Sequence, residues 1–143
     1  MQLTVSKISR SIQKFEDYAN DLINSDFNTF DDRLNMFFSF SESDTLMTSI
    51  HQQLINMPSV NFDSWLTECY ESIGGMAGSG SLSFPTDQEQ RLALMYQLLY
   101  GIRDDRVSWS KLTMNFFAVS SSRYDDHLYA LHQAVTQPMM REL

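Results

Sequence analysis

Arg123 and His127 are the two residues whose types together could cut RNA. A guanidinium can hold a phosphate and an imidazole can move a proton near neutral pH, and helical RNases place such a pair on one helix face. Those motifs put more than three residues between the two. Here only Tyr124, Asp125 and Asp126 intervene, and two of the three are carboxylates that repel a polyanion. His127 and His132 lie five apart, a poor match for one helix face, whereas a metalloprotease pair sits four apart around a Glu. Asp125, Asp126 and His127 would need distant ligands to hold a metal, so no metal and no cofactor are expected. The third histidine, His51, has no metal-ligand spacing to either of the others.

The run Gly74-Gly75-Met76-Ala77-Gly78-Ser79-Gly80-Ser81 invites comparison with phosphate-cradling loops. A P-loop needs a Lys after its last Gly, but Gly80 is followed by Ser81-Leu82. The dinucleotide spacing fails at Ser83, and no Ser occupies the centre of a Gly-x-Ser-x-Gly elbow. The segment 74–83 therefore reads as a flexible Gly/Ser-rich loop. Cys69, the lone cysteine, has Glu68 and Glu71 beside it and no nearby cation. Those neighbours raise a thiol pKa, which points to a small buried side chain rather than a nucleophile.

What remains is charge. From Leu34 to Gln90 the chain has no Lys or Arg, yet it carries Glu42, Asp44, Asp63, Glu68, Glu71, Asp87 and Glu89. Lys7, Arg10 and Lys14 precede the first acid, and residues 91–143 hold six cations against five anions, so the net charge of −8 is a property of the middle. Asymmetry of this kind bears on partners and solubility rather than on fold. Clustered cations, which nucleic acids and anionic membranes require, are missing. Glu42, Asp44, Asp63, Glu68 and Glu71 are the residues expected to meet a partner.

The elements that must carry these groups are helices. The chain has three prolines, and four of its five glycines fall within 74–80. At 143 residues and 43% hydrophobic content it can bury one core. Ile8, Ile12, Phe15, Ala19 and Leu22 form an amphipathic stripe. A second helix should start at Asn28 or Thr29 and bury Phe30, Leu34, Phe37 and Phe38. A third carries Leu46, Ile50, Leu54 and Met57 up to Pro58. A fourth runs from about Asn61 to Ile73 with Phe62, Trp65, Leu66 and Cys69 or Tyr70 inward. Thr86-Asp87-Gln88-Glu89 has the form of a capping box. The helix it opens, to about Asp104, is apolar almost all round and should be the buried centre, with Leu94, Leu98 and Leu99 together. Ser108 opens a short helix with Trp109, Leu112, Phe116 and Phe117. Ser122-Arg123-Tyr124-Asp125 opens the last, which buries Leu128, Leu131 and Val135 and ends or kinks at Pro138. The nine Met and eighteen aromatics read as core; only exposure of Met36, Phe37, Phe40, Met47, Met57, Met76, Met139 or Met140 would make them an interface or a ligand pocket.

The second half also resembles a known class. Phe84-Pro85-Thr86-Asp87-Gln88-Glu89-Gln90-Arg91-Leu92 opening an apolar helix, the following Phe116-Phe117, Tyr124-Asp125-Asp126, and the ending Val135-Thr136-Gln137-Pro138-Met139-Met140-Arg141-Glu142-Leu143 look like the small helical modules at the N-terminus of multidomain bacterial proteins, including phage-defence and abortive-infection effectors. The likeness covers residues 84–143. It implies a regulatory or assembly role without chemistry and a domain edge at Leu143.

The expectation is thus an all-α, single-domain bundle over residues 1–143, with six or seven helices. Its expected role is a non-enzymatic protein–protein interaction module that docks a basic partner surface or self-associates. Alternatives are a small acidic inhibitor or immunity-type protein and, more remotely, a helical RNase. No apolar run spans a bilayer, no secretory signal opens the chain, and a single Cys fits a reducing, cytoplasmic setting.

Overall fold

The computed structural model describes residues 4–72, 82–116 and 123–143. Among these residues every regular element is helical. The helices are α1 (Val5–Ile23), α2 (Phe30–Ser43), α3 (Thr45–Ile55), α4 (Phe62–Glu71), α5 (Gln88–Arg103), α6 (Trp109–Phe116), α7 (Tyr124–Leu131) and α8 (Gln137–Glu142), with a π-helical turn, His132–Thr136, joining the last two into one rod. Seven rods result. None is long and apolar enough to cross a membrane. The loop expected at 74–83 lies outside the described residues as far as Ser81, as do Met76, Phe117 and Ser122.

α1 packs on α2, α2 on α3, and both α2 and α3 on α5; α6 pairs with α7, and α8 returns to α5. The central place of α5 follows from its composition. Ala93, Leu94, Met95, Tyr96, Leu98, Leu99, Gly101 and Ile102 are all buried, which leaves no apolar stripe because nearly every side meets protein. Leu98 and Leu99 join the main core cluster with Phe30, Leu34, Phe37, Phe38, Leu128, Leu131 and Val135, whereas Leu94 is buried outside it.

Short polar side chains set the starts of helices. Thr4 accepts the Lys7 N–H at the head of α1, Asp44 accepts Leu46 and Met47 N–H groups at the head of α3, and Asn61 accepts Ser64 N–H at the head of α4. At α5 the cap is Asp87, whose carboxylate accepts Gln90 N–H at 3.0 Å. The capping box expected on Thr86 is displaced by one residue, because an ionised Asp at the positive end of the helix dipole caps at least as well as Thr. Arg123 precedes α7 without a side-chain cap bond. At its far end α5 closes through Asp105 at φ 60°, with Arg106 and Val107 N–H groups both donating to Gly101 O. A Cβ on Gly101 would lie 3.1 Å from Val107 Cγ2, so the glycine lets this chain reversal fold back tightly.

Two side-chain placements differ from the stripes, and one proline differs from its expected role. Ile12 is exposed, since Ser11 takes the inward position on α1 and donates from its hydroxyl to Asp44 Oδ1 at 2.9 Å. On α3 the buried set is Met47, His51 and Leu54, one position round from Leu46 and Ile50. Pro138 does not end the last helix. A proline interferes with the turn before it, and widening that turn to π geometry carries the rod through. Of the Met and Phe side chains flagged for exposure and described here, only Met36 is exposed; Phe37, Met47 and Met139 are buried, and Phe40, Met57 and Met140 are half-buried.

Candidate functional site

The five carboxylates expected to face a partner divide into two groups. Glu42, at the end of α2, forms an ion pair with Arg103 Nη1 at 2.7 Å and accepts the Tyr100 hydroxyl at 3.3 Å. Asp44 caps α3 with one oxygen and accepts Ser11 Oγ with the other. Both are occupied in joining α1, α2, α3 and α5. Asp63, Glu68 and Glu71 are exposed on α4. At about 100° per residue they cover an arc of roughly 140° opposite the inward stripe of Phe62, Trp65, Leu66 and Cys69. Among the described residues no hydrogen bond or ion pair engages these three carboxylates.

The candidate chemical groups sit in ordinary structural environments. His127 is half-buried, with Nδ1 3.3 Å from Thr113 Oγ1, and the Thr113 hydroxyl itself donates to Ser110 O. Arg123 is exposed one turn before it. Cys69 is buried; burial pushes its thiol pKa up and outweighs a backbone hydrogen bond from Ser83, with the nearby Glu68 adding to the rise. Among the described residues no three His, Cys, Asp or Glu side chains converge to hold a metal.

Two polar knots were invisible to residue spacing because their members are far apart in the chain. His51 is buried with Nδ1 2.7 Å from the Tyr96 hydroxyl, edge-on to the Tyr96 and Tyr100 rings. Burial lowers the imidazole pKa and drives the Tyr96 phenol far above its ordinary value, so both stay neutral and hydrogen-bonded. The second knot ties the α1–α2 turn to the π turn. The Ser25 hydroxyl donates to Leu22 O at 2.6 Å. It is therefore left to accept from His132 Nε2 at 3.1 Å, and Nε2 also lies 3.3 Å from Ser25 O. With the proton on Nε2, Nδ1 is left to accept from the Thr136 hydroxyl, 3.0 Å away. This arrangement fixes a neutral imidazole, lowered in pKa by burial, with its proton on Nε2. A catalytic Ser–His pair needs the reverse, a bare nitrogen facing the serine proton. Ser25 and His132 form a structural clasp, not a nucleophile and its base.

The clasp floors a cleft of about 280 Å³ that Asp26, Asp125, Tyr129 and Gln137 also line. Beside it Asp125 Oδ1 accepts the Phe27 N–H at 2.8 Å, which holds the Phe27 ring stacked on Tyr124 at 4.8 Å. Trp109 meets both rings edge-on, and beneath them Phe30 touches Trp109 and His132. A continuous aromatic column thus runs from the surface to the core.

The chain matches no family model, no curated protein and no solved structure. Two further clefts lie among the described residues. One of about 410 Å³ lies between α4 and α5 and is lined by Asp63, Gln97, Tyr100 and Arg106; the other, of about 250 Å³, is lined by Met57, Leu92, Glu142 and Leu143. Neither brings together a nucleophile and a base.

Proposed function

We propose that the chain is a non-enzymatic protein-interaction module whose acidic surface docks on a cationic surface of a partner protein. One observation carries this reading. Arg33 pairs with Asp21, Arg91 with Glu142, Arg103 with Glu42 and Asp104, and Arg106 with Asp104, while among the described residues Asp63, Glu68 and Glu71 on the outer face of α4 join no ion pair. A face of this kind steers a basic partner mainly through association rate, and salt screens it over about 8–10 Å. An inhibitor covering a basic site would use the same face.

The test is stopped-flow association with a basic binding partner. Replacing Asp63, Glu68 and Glu71 by Lys should slow association about tenfold at low salt and flatten its salt dependence. Arg123→Ala and His127→Ala should leave it unchanged. If those two substitutions abolish activity while the acid reversals are silent, docking is wrong and the nuclease alternative takes its place.

A further inference from the structure

We propose that the cleft between the α1–α2 turn and α7 receives an arginine side chain presented by the partner protein. This inference rests on the docking function above and places a second, more specific contact away from α4. Three observations meet at the cleft. First, of the large aromatic side chains exposed among the described residues, Tyr129, 61% exposed, lines the cleft, and Phe27, 49%, and Tyr124, 54%, directly follow and precede its lining residues Asp26 and Asp125. Exposed aromatic surface is costly in water and is characteristic of interface anchors. Second, the polar groups lining the cleft are rich in acceptors. Asp26 Oδ1 takes the Asn28 and Thr29 N–H groups and the Thr29 hydroxyl, and Asp125 Oδ1 takes the Phe27 N–H. Among the described residues the Oδ2 atom of each has no hydrogen-bond partner and neither carboxylate joins an ion pair. Third, no Lys or Arg lines the cleft, and its floor, His132, is held neutral by Ser25 and Thr136.

A guanidinium suits this combination better than an ammonium. It is planar and weakly hydrated, so it can lie against a Tyr ring, and its forked N–H groups can reach two carboxylate oxygens at once. The walls of the site are also tied together. The Asp125–Phe27 bond, the Ser25–His132 clasp and the Asp26 turn fix its walls before any ligand arrives, which limits the ordering cost of binding.

The probe is acetyl-glycyl-glycyl-arginyl-glycyl-glycine amide, titrated into the full chain and followed by amide chemical shifts. Its lysine and citrulline counterparts serve as comparisons; citrulline keeps the shape of arginine without the charge. Shifts centred on Phe27 and on residues 124–129, with affinity at least tenfold above the citrulline peptide, are expected. Asp125→Asn, which keeps the acceptor for Phe27 N–H, and Tyr129→Ala, at an exposed position, should each weaken binding at least tenfold with unchanged circular dichroism. Replacing Asp63, Glu68 and Glu71 by Lys should leave peptide binding intact, so that failure here and failure of the α4 surface are told apart. Equal binding of the citrulline or lysine peptide, shifts centred elsewhere, or no shifts at millimolar peptide would each overturn the assignment.

Discussion

His51 and His132 are buried imidazoles whose pKa values burial holds below 6.5. The consequence for stability has a definite sign. Above pH 6.5 both are neutral in the folded and unfolded chains, and the folded state bears no penalty. As the pH falls below 6.5 the unfolded chain takes up protons that the folded chain refuses, so stability drops until the folded pKa is passed. Urea midpoints should therefore fall between pH 7.5 and 5.5. The fall should shrink in His51→Gln and again in the double variant with His132→Gln. A pH-independent midpoint over that range would mean that both rings are solvated. The sequence gives neither residue a role, because their real partners, Tyr96 and Ser25, are 45 and 107 residues away.

At the scale of elements the helices were legible where polar caps and apolar spacing agree. α1, α2 and α5 begin and end close to where their patterns place them. Angular detail was less legible: one buried serine, Ser11, turns Ile12 outward, and one inward histidine turns α3. Both depend on a tertiary partner that a stripe does not contain. Asp44 shows the same limit. It reads as part of an acidic surface, yet it caps α3 and holds Ser11 of α1. Asp44→Ala removes a cap and a hydrogen bond together and should cost about 1–2 kcal/mol in thermal or urea unfolding. A loss near zero would show that Leu46 and Met47 N–H groups are satisfied by water at no penalty. Pro138 read as a terminus or kink, while the structure accommodates it through the π turn that also brings His132 beneath the aromatic column.

For the molecule as a whole, charge along the chain singles out Asp63, Glu68 and Glu71, which lie exposed on α4, together with Glu42 and Asp44, which are tied to other helices, and it cannot separate the two groups. Nor could it find the cleft at Asp26 and Asp125, which lie outside the cation-free run and meet only on folding. The centre was plain from α5 alone. Leu98→Ala should cost about 2–5 kcal/mol through lost burial and the cavity left behind. A loss below about 0.5 kcal/mol would contradict the fully buried position of Leu98. The outer helix should open more readily than the centre. α4 rests on α5 and, through Tyr70 against Phe116, on α6, and its inner face carries the single thiol of the chain. A thiol reagent can reach buried Cys69 only when α4, or the segment at Ser83 that hydrogen-bonds the thiol, lifts, so the protein contains its own clock for that opening. Under native conditions alkylation should be slow, and at low urea its rate should vary little with denaturant, as expected for a local excursion smaller than global unfolding. A rate that instead follows urea as steeply as the global transition would mean that α4 never leaves without the rest of the bundle, and that its outer face is as rigid as the core beneath it.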